Sequence, residues 1–552
     1  MGQRLLTSVN WLFGPGRRDG PGYLWPRWLF LRSLGLVFFS AFYSLLFQVD
    51  GLIGPHGILP AGPYLHTLAE RLGHRAYWYA PTLLWLGNSP VFLGALCWIG
   101  LAASVLLVFN RWPRASLAVC LIVYLSFVAA LQVFSSYQSD GMLLCAGFLS
   151  LFFAPPGMRP GLGEQQPPSR ASLFLLRWLW FTIYFESGIV KLASHDPQWR
   201  NLTALDQYYQ NGPLPNWIGW YAQQLPHAFH AATALATLII ELGIVWMMLL
   251  PRRWRIACFF IVTPFQIGII LTANLAFLNH LVLVLGFLLL DDEFLRSVTG
   301  KQGIRKWKLE IGNWKLRAIA EKVKHLTPTS GPQTPDSVRP SRLSRVVRHV
   351  SLALSAFFLS WVFYVMTALL VLMLVPGLPL PVSPILALQP FRIANQYGLF
   401  AVMTNARYEI EFQGTTDGEH WIPYPFRYKP QDTHEPPRIY APYQPRFDWN
   451  LWFASLGHWR ENFFVVRTEI KLLEGSKSVL ALFAANPFRN QPPRQVRAVL
   501  WQYWFTDLAT KRAQGLWWRR EWRGLYAPTL EREPNGRIVV TQWPETTLLP
   551  PP

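Results

Sequence analysis

The sequence predicts a polytopic α-helical membrane protein of about eight to nine spans, followed by an extracytoplasmic α+β or β-sandwich-like domain. Three observations carry that prediction. Apolar runs of membrane length recur along the first two thirds of the chain, Lys and Arg gather in every second loop between them, and beyond Pro376 short alternating segments rich in Pro and aromatics take over. Of the 552 residues, 51% are hydrophobic and 14% charged, with 27 Trp and 37 Phe, a balance typical of membrane proteins. The net charge of +20 does not point to nucleic acid, because the basic residues lie in short loops between apolar runs, where they set topology and meet anionic lipid. Cys97, Cys120, Cys145 and Cys258 fall within apolar segments without CxxC or metal-ligand spacing, so no disulfide framework, zinc site or dithiol motif is predicted.

The Met-Gly start is not a myristoylation signal, since Leu6 stands where Ser or Thr is required. The first long run, 28–48, is too long for a signal-peptide core and lacks a cleavage site, so it reads as an uncleaved span. A Gly/Pro-rich stretch, DGLIGPHGILPAGPYL, leads into an amphipathic segment ending near Arg75 that suits the membrane interface. Further apolar runs cover 90–109, 116–134, 141–155, 172–190, 228–250, 256–276, 278–290 and 351–375. The runs from 141 and 278 are shorter than the ~20 residues of a full crossing and read as re-entrant or broken spans. Basic loops at the N-terminus, NRWPR, Arg159 to Arg170, PRRWR and 291–350 alternate with loops near 50–75, 135–140, 191–227 and 274–280. Nine spans with a cytoplasmic N-terminus then place the last domain outside the cytoplasm.

Residues 1–290 therefore form a multi-span domain, 291–350 a basic cytoplasmic segment and linker, 351–376 the last transmembrane helix, and 377–552 the extracytoplasmic domain. Segment 291–350 holds 13 Lys and Arg against 6 Asp and Glu, which predicts a basic helix at 301–324 touching anionic lipid, then a flexible linker. In the last domain, ARYEIEFQGTTDGEHWIPYPFRYK alternates on both sides of Asp417-Gly418 as a β-hairpin does. VRAVLWQYWFT reads as a strand, and NLWFASL and ENFFVVRTEIKLLEG read as helices.

The hydrolase, nucleotide and zinc motifs GxSxG, the P-loop, GxGxxG and HExxH are missing. What remains is a polar cluster at a helix end, FESGIVKLASHDPQWRNLTAL. Ionisable groups at bilayer depth are costly unless paired, and so mark sites of function or of helix pairing. The candidate cluster comprises Glu186, Lys191, His195, Asp196, Trp199 and Arg200, with Asp140 and Glu241 from neighbouring spans. Asp140 opens its span as an N-cap would, His195 and Asp196 form either an acid/base pair or a helix-end turn, and Glu241 needs a partner such as Lys191 or Arg200.

GPHGILPA, SYQSDGMLLCAGFLSLFFAP, ESGIVKLASHDPQWRNLTAL, NQYGLF, QGTTDGEHW, PYQPRFDWNLWFASL, NPF with PPRQVRAVLWQYWFT, and WWRRE follow one another in a match that runs from about residue 25 to 528. Together they resemble the lipase maturation factor family. The core around GIVKL also resembles, distantly, the membrane core of vitamin K-dependent carboxylases, which bears on architecture only. The family resemblance implies a membrane protein that helps secreted lipases reach their active dimeric form, in vertebrates from the endoplasmic reticulum membrane. It also implies a C-terminal domain that engages the client; on that reading Trp421, Trp449, Trp452 and Trp518 are our candidate contacts. The missing luminal cysteines and retrieval signal speak against a thiol-exchange role, and the compact, Arg/Trp/Pro-rich composition reads as a bacterial inner-membrane member, or one of the endoplasmic reticulum membrane if eukaryotic. The leading expectation is a non-enzymatic, chaperone-like maturation factor without cofactor, binding a client such as a lipase. The alternative is an intramembrane enzyme or lipid transporter using the Glu186/Lys191/Asp196/Arg200 cluster.

Overall fold

A computed structural model describes residues 2–16, 22–298 and 342–545. The basic helix expected at 301–324 and its linker lie outside the described residues. Seven described helices are long and apolar enough to cross a membrane. In chain order the bundle consists of α1 (Leu24–Leu46), α2 (Pro90–Val108), α3 (Pro113–Ala130), α4 (Gln138–Phe153), α5 (Arg170–Ala193), α6 (His227–Leu242), α7 (Arg252–Thr272), α8 (Leu278–Gly286) and α9 (Arg342–Leu374). A 3-10 stretch, Ile244–Leu249, extends α6 past Gly243.

The two short helices, α4 and α8, are anchored on both sides by neighbouring side chains. Asp140 in the first turn of α4 meets the C-terminal domain through Arg446, and the carbonyl of Ala154 just past its last turn accepts from Arg114 Nε at 2.8 Å. Before α8, Asn274 bonds the backbone of Arg438 and Tyr440; after it, the carbonyls of Leu288 and Leu289 accept from Arg177 and Arg255. Protein rather than lipid surrounds both helices, so their backbone ends are satisfied by neighbouring side chains and need not reach bulk water. Close approach makes this possible: a Cβ at Gly147 of α4 would come within 2.9 Å of Leu121 and Phe38 side-chain atoms.

The basic loops share one end. Arg27 donates to the carbonyls of Leu162, Gly163 and Gln166, Asp292 accepts from the amides of Leu24 and Trp25, and Arg252 and Arg255 converge on Asp291. The weakly basic loops meet at the opposite end, where the C-terminal domain sits. That domain is built on an antiparallel sheet of β1 (Arg407–Thr415), β2 (Ile422–Pro423), β3 (Gln495–Phe505), β4 (Trp518–Leu525), β5 (Thr529–Arg532) and β6 (Ile538–Gln542), in the order β2-β1-β3-β5-β6. The long β3 pairs β1 on one edge, and β4 and β5 share the other.

The Asp417-Gly418 turn forms as expected: Asp417 Oδ1 accepts from the amides of Glu419 and His420, and Gly418 takes φ +85°, where a side chain would be strained. Alternation along β1 puts Ile410 and Phe412 on one face, fully buried beside helices α10 (Arg446–Ala454) and α11 (Phe464–Leu473). The other face carries Arg407, Glu409, Glu411 and Gln413.

Candidate functional site: the junction of bundle and cap

Helix α5 supplies the site because a 3.6-residue repeat brings Ser187 and Lys191 to one side of its last turns, with Glu186 beside them. Glu186 is fully buried, while Lys191 and Glu241 are 3% and 7% exposed. Lys191 Nζ donates to both oxygens of Glu241, at 3.0 and 2.8 Å, and to the carbonyls of Ser187 and Leu399. The ammonium also lies 5.2 Å from the centre of the Trp199 ring. Of the two partners the sequence allowed for Glu241, the structure therefore selects Lys191; Arg200 is exposed and touches His195 Nδ1 instead.

The rest of the cluster faces a single extended stretch, 395–403, which has no regular secondary structure and must find partners for its backbone elsewhere. Glu186 Oε2 accepts from the amide of Tyr397 at 2.5 Å, and Asp196 Oδ2 from that of Met403 at 2.6 Å. Gln138 Oε1 accepts from the amide of Gly398, Ser194 Oγ donates to the carbonyl of Ala401, and Trp199 Nε1 donates to that of Phe400. The other carboxylate oxygen of Asp196 caps the short helix Pro197–Arg200 through the amide of Gln198. HDP thus lies in a helix-end turn, with both Asp196 oxygens taken by backbone amides. Two separate sequence signatures, ESGIVKLASHDPQWR and NQYGLF, turn out to be receptor and ligand within one chain.

Asp140 does not cap α4. Its two oxygens accept from both Arg446 guanidinium nitrogens at 2.8 Å, and one also accepts from Tyr124 Oη. Asp140 and Arg446 are both fully buried, and a bidentate pair of this kind fixes orientation as well as charge. Arg446 carries no local signal in PYQPRFDWN, because its partner lies 306 residues away. Sequence reasoning also passed over Arg407, which is fully buried, pairs with Glu409 and donates to the carbonyls of Gln210, Gly212 and Pro213. Lys429 completes that group, 2.7 Å from Glu409, and burial pushes the carboxyl of Asp448 up to about 7 against the opposing pull of Lys429. A charged residue inside an alternating strand was the one available signal.

On the polar face of the sheet, Arg497 lies over Trp421 at 4.0 Å and Trp522 at 5.5 Å, Trp522 meets Trp501, and Arg520 covers Trp501 at 4.2 Å. Beside this ladder a cleft of about 700 Å³ opens beneath the Pro-rich loop 423–440, with Glu411, Trp518 and Arg520 in its floor. The candidate client contacts are corrected accordingly. Trp449, Trp452 and Trp518 are 8%, 7% and 1% exposed: Trp449 packs on Tyr137 of the bundle, Trp452 on Phe453, and Trp518 on Tyr503 and Phe505 beneath the cleft. Trp421 alone of the four is partly exposed.

Comparison with known proteins agrees with this architecture. Residues 25–297 match the family model described as the lipase maturation factor transmembrane domain, and 393–528 match the lipase maturation factor C-terminal domain. The chain is 32% identical to human (Homo sapiens) lipase maturation factor 2, over 92% of its own length and 82% of the relative. It is 31% identical to lipase maturation factor 1 of Bos taurus, over 97% and 94% of the two chains. No solved structure matches it.

Proposed function

The chain belongs to the lipase maturation factor family, and from that premise we propose that it is a membrane-embedded, chaperone-like maturation factor for secreted lipases that works through its C-terminal domain. The observation that carries this reading is a Trp/Arg ladder and adjoining cleft mounted rigidly on the bundle. Trp, Tyr and Arg dominate the energetics of protein recognition, and a surface fixed before binding loses little conformational entropy when the client arrives. The mounting is extensive: Arg446 on Asp140, Arg407 on the 210–213 carbonyls, Asn274 on the backbone at 438–441, and Trp220 on the carbonyl of Trp517.

The domain works on the extracytoplasmic side and the basic end faces the cytoplasm, where its Lys and Arg meet anionic lipid. The membrane is a bacterial inner membrane, or the endoplasmic reticulum membrane in a eukaryote. Pairing of Glu186 and Asp196 with backbone amides supports a positioning role for these carboxylates over turnover at an intramembrane enzyme site.

Co-expression with a secreted lipase tests the proposal. Trp421→Ala combined with Arg497→Ala should lower the yield of active lipase by about tenfold or more, the effect of removing a hot-spot pair, with the factor's abundance unchanged. Undiminished secreted lipase activity in a strain deleted for the factor would remove the basis for the reading.

A further inference from the structure

The bundle is not filled between α6 and α7. A half-enclosed cavity of about 310 Å³ lies there, within the range that holds small ligands. Helix α6 packs on α5 and α7 packs on α8; the 3-10 extension Ile244–Leu249 closes against α7, but α6 itself, His227–Leu242, makes only sparse contact with α7. Leu235 and Ile239 on α6 and Ile267 and Leu271 on α7 are exposed, so the opening lies between two lipid-facing helices. The lining is mainly apolar, with the Lys191–Glu241 pair at one side and a hydrogen-bonded seam at the other. In that seam Tyr184 Oη donates to Gln266 Oε1 at 2.6 Å, and Gln266 Nε2 donates to the carbonyl of Asn279.

One polar atom in this lining is left over. Asn279 is 6% exposed, and its Nδ2 has no partner among the described residues. A buried amide donor without an acceptor is costly, and a ligand oxygen would relieve it. Lys191 does not compete for that oxygen, because the carboxylate of Glu241 and two carbonyls already surround it. Asn279 is the second residue of α8, at the end of the bundle nearest the C-terminal domain.

We propose that this cavity holds one acyl chain of a membrane glycerolipid, entering sideways between α6 and α7, with the ester carbonyl accepting a hydrogen bond from Asn279 Nδ2. The site is independent of the lipase-maturation reading, and either can fail without the other. It would tie the spacing of α6 and α7, and with it the Lys191–Glu241 pair, to the surrounding lipid.

Gly268 provides a variant at the cavity's opening. It lines the cavity and is exposed, and a Cβ built there meets nothing within 4 Å, so Gly268→Leu adds bulk at the opening with its Cβ accommodated. The full chain is placed in lipid nanodiscs containing phosphatidylcholine with a diazirine in its acyl chain, irradiated, and mapped by peptide mass spectrometry. Wild-type label should concentrate on 229–241 and 265–279 above the level at lipid-exposed positions such as Val91 and Trp98 on α2. Gly268→Leu should remove that excess and leave the α2 label unchanged. Asn279→Ala, which adds no bulk, should lower it about fivefold, as expected for one lost hydrogen bond. Equal labelling in wild type and Gly268→Leu would overturn the proposal, and labelling by a diazirine fatty acid alone would overturn the assignment to a glycerolipid.

Discussion

A lysine and a glutamate that sit 50 residues apart in sequence share one buried hydrogen-bonded contact, and its energetics follow from burial. Removing one member leaves the other charged and uncompensated, which typically costs about 3–5 kcal/mol, whereas replacing both by apolar groups of similar size is often neutral. Lys191→Met is therefore expected to lower resistance to SDS-titrated unfolding by about 3–5 kcal/mol, and Lys191→Met with Glu241→Leu to recover most of the loss. A double variant as unstable as the single one would show that the pair does not act as a unit. At this scale the sequence exposed which charges needed partners but not which partners they take. It narrowed Glu241 to Lys191 or Arg200, and it misread Asp140 as a cap because the true partner, Arg446, lies 306 residues away. Local signals such as caps and turns are written in adjacent residues; a salt bridge between two domains is not.

Elements were legible in proportion to the regularity of their apolar pattern. The hairpin turn at Asp417-Gly418, strand β3 and helices α10 and α11 all follow from periodicity. Strand β4, WRREWRGL, does not, since Trp and Arg alternate there without a clear apolar face. The shortness of α4 and α8 reads as re-entrant or broken spans, and both helices stand below the length of the seven membrane-length helices, enclosed largely by protein. The extended stretch 395–403 had no periodicity to detect and is defined by what it docks against. Glu186→Leu leaves the amide of Tyr397 buried and unpaired, at a cost of about 1–3 kcal/mol, while Glu186→Gln keeps an acceptor oxygen. Limited proteolysis should accordingly cut within 395–403 in Glu186→Leu and spare wild type and Glu186→Gln. A Gln variant as open as the Leu variant would mean that the charge, and not the acceptor, is what matters.

The whole molecule has two chemically distinct ends, the division that the distribution of Lys and Arg predicted. Its orientation is open to a labelling test with low background, because the four native cysteines are buried. Asn535→Cys, in an exposed turn of the C-terminal domain, should react with an impermeant maleimide in intact cells. Arg159→Cys, in an exposed loop of the basic end, should react only after permeabilisation. The opposite pattern would invert the topology. The docking of 395–403 has a further consequence in time. Tyr397 meets Glu186 across 211 residues, so in N-to-C synthesis the acceptor carboxylates of α4 and α5 enter the membrane long before their partners leave the ribosome. The nascent bundle must wait with Glu186, Asp196 and Asp140 unanswered until the final helix has inserted and the last domain folds back over it. A protein that we propose to shepherd other chains to maturity thus passes through an incomplete stage of its own, one that closes only when Tyr397, Met403 and Arg446 arrive.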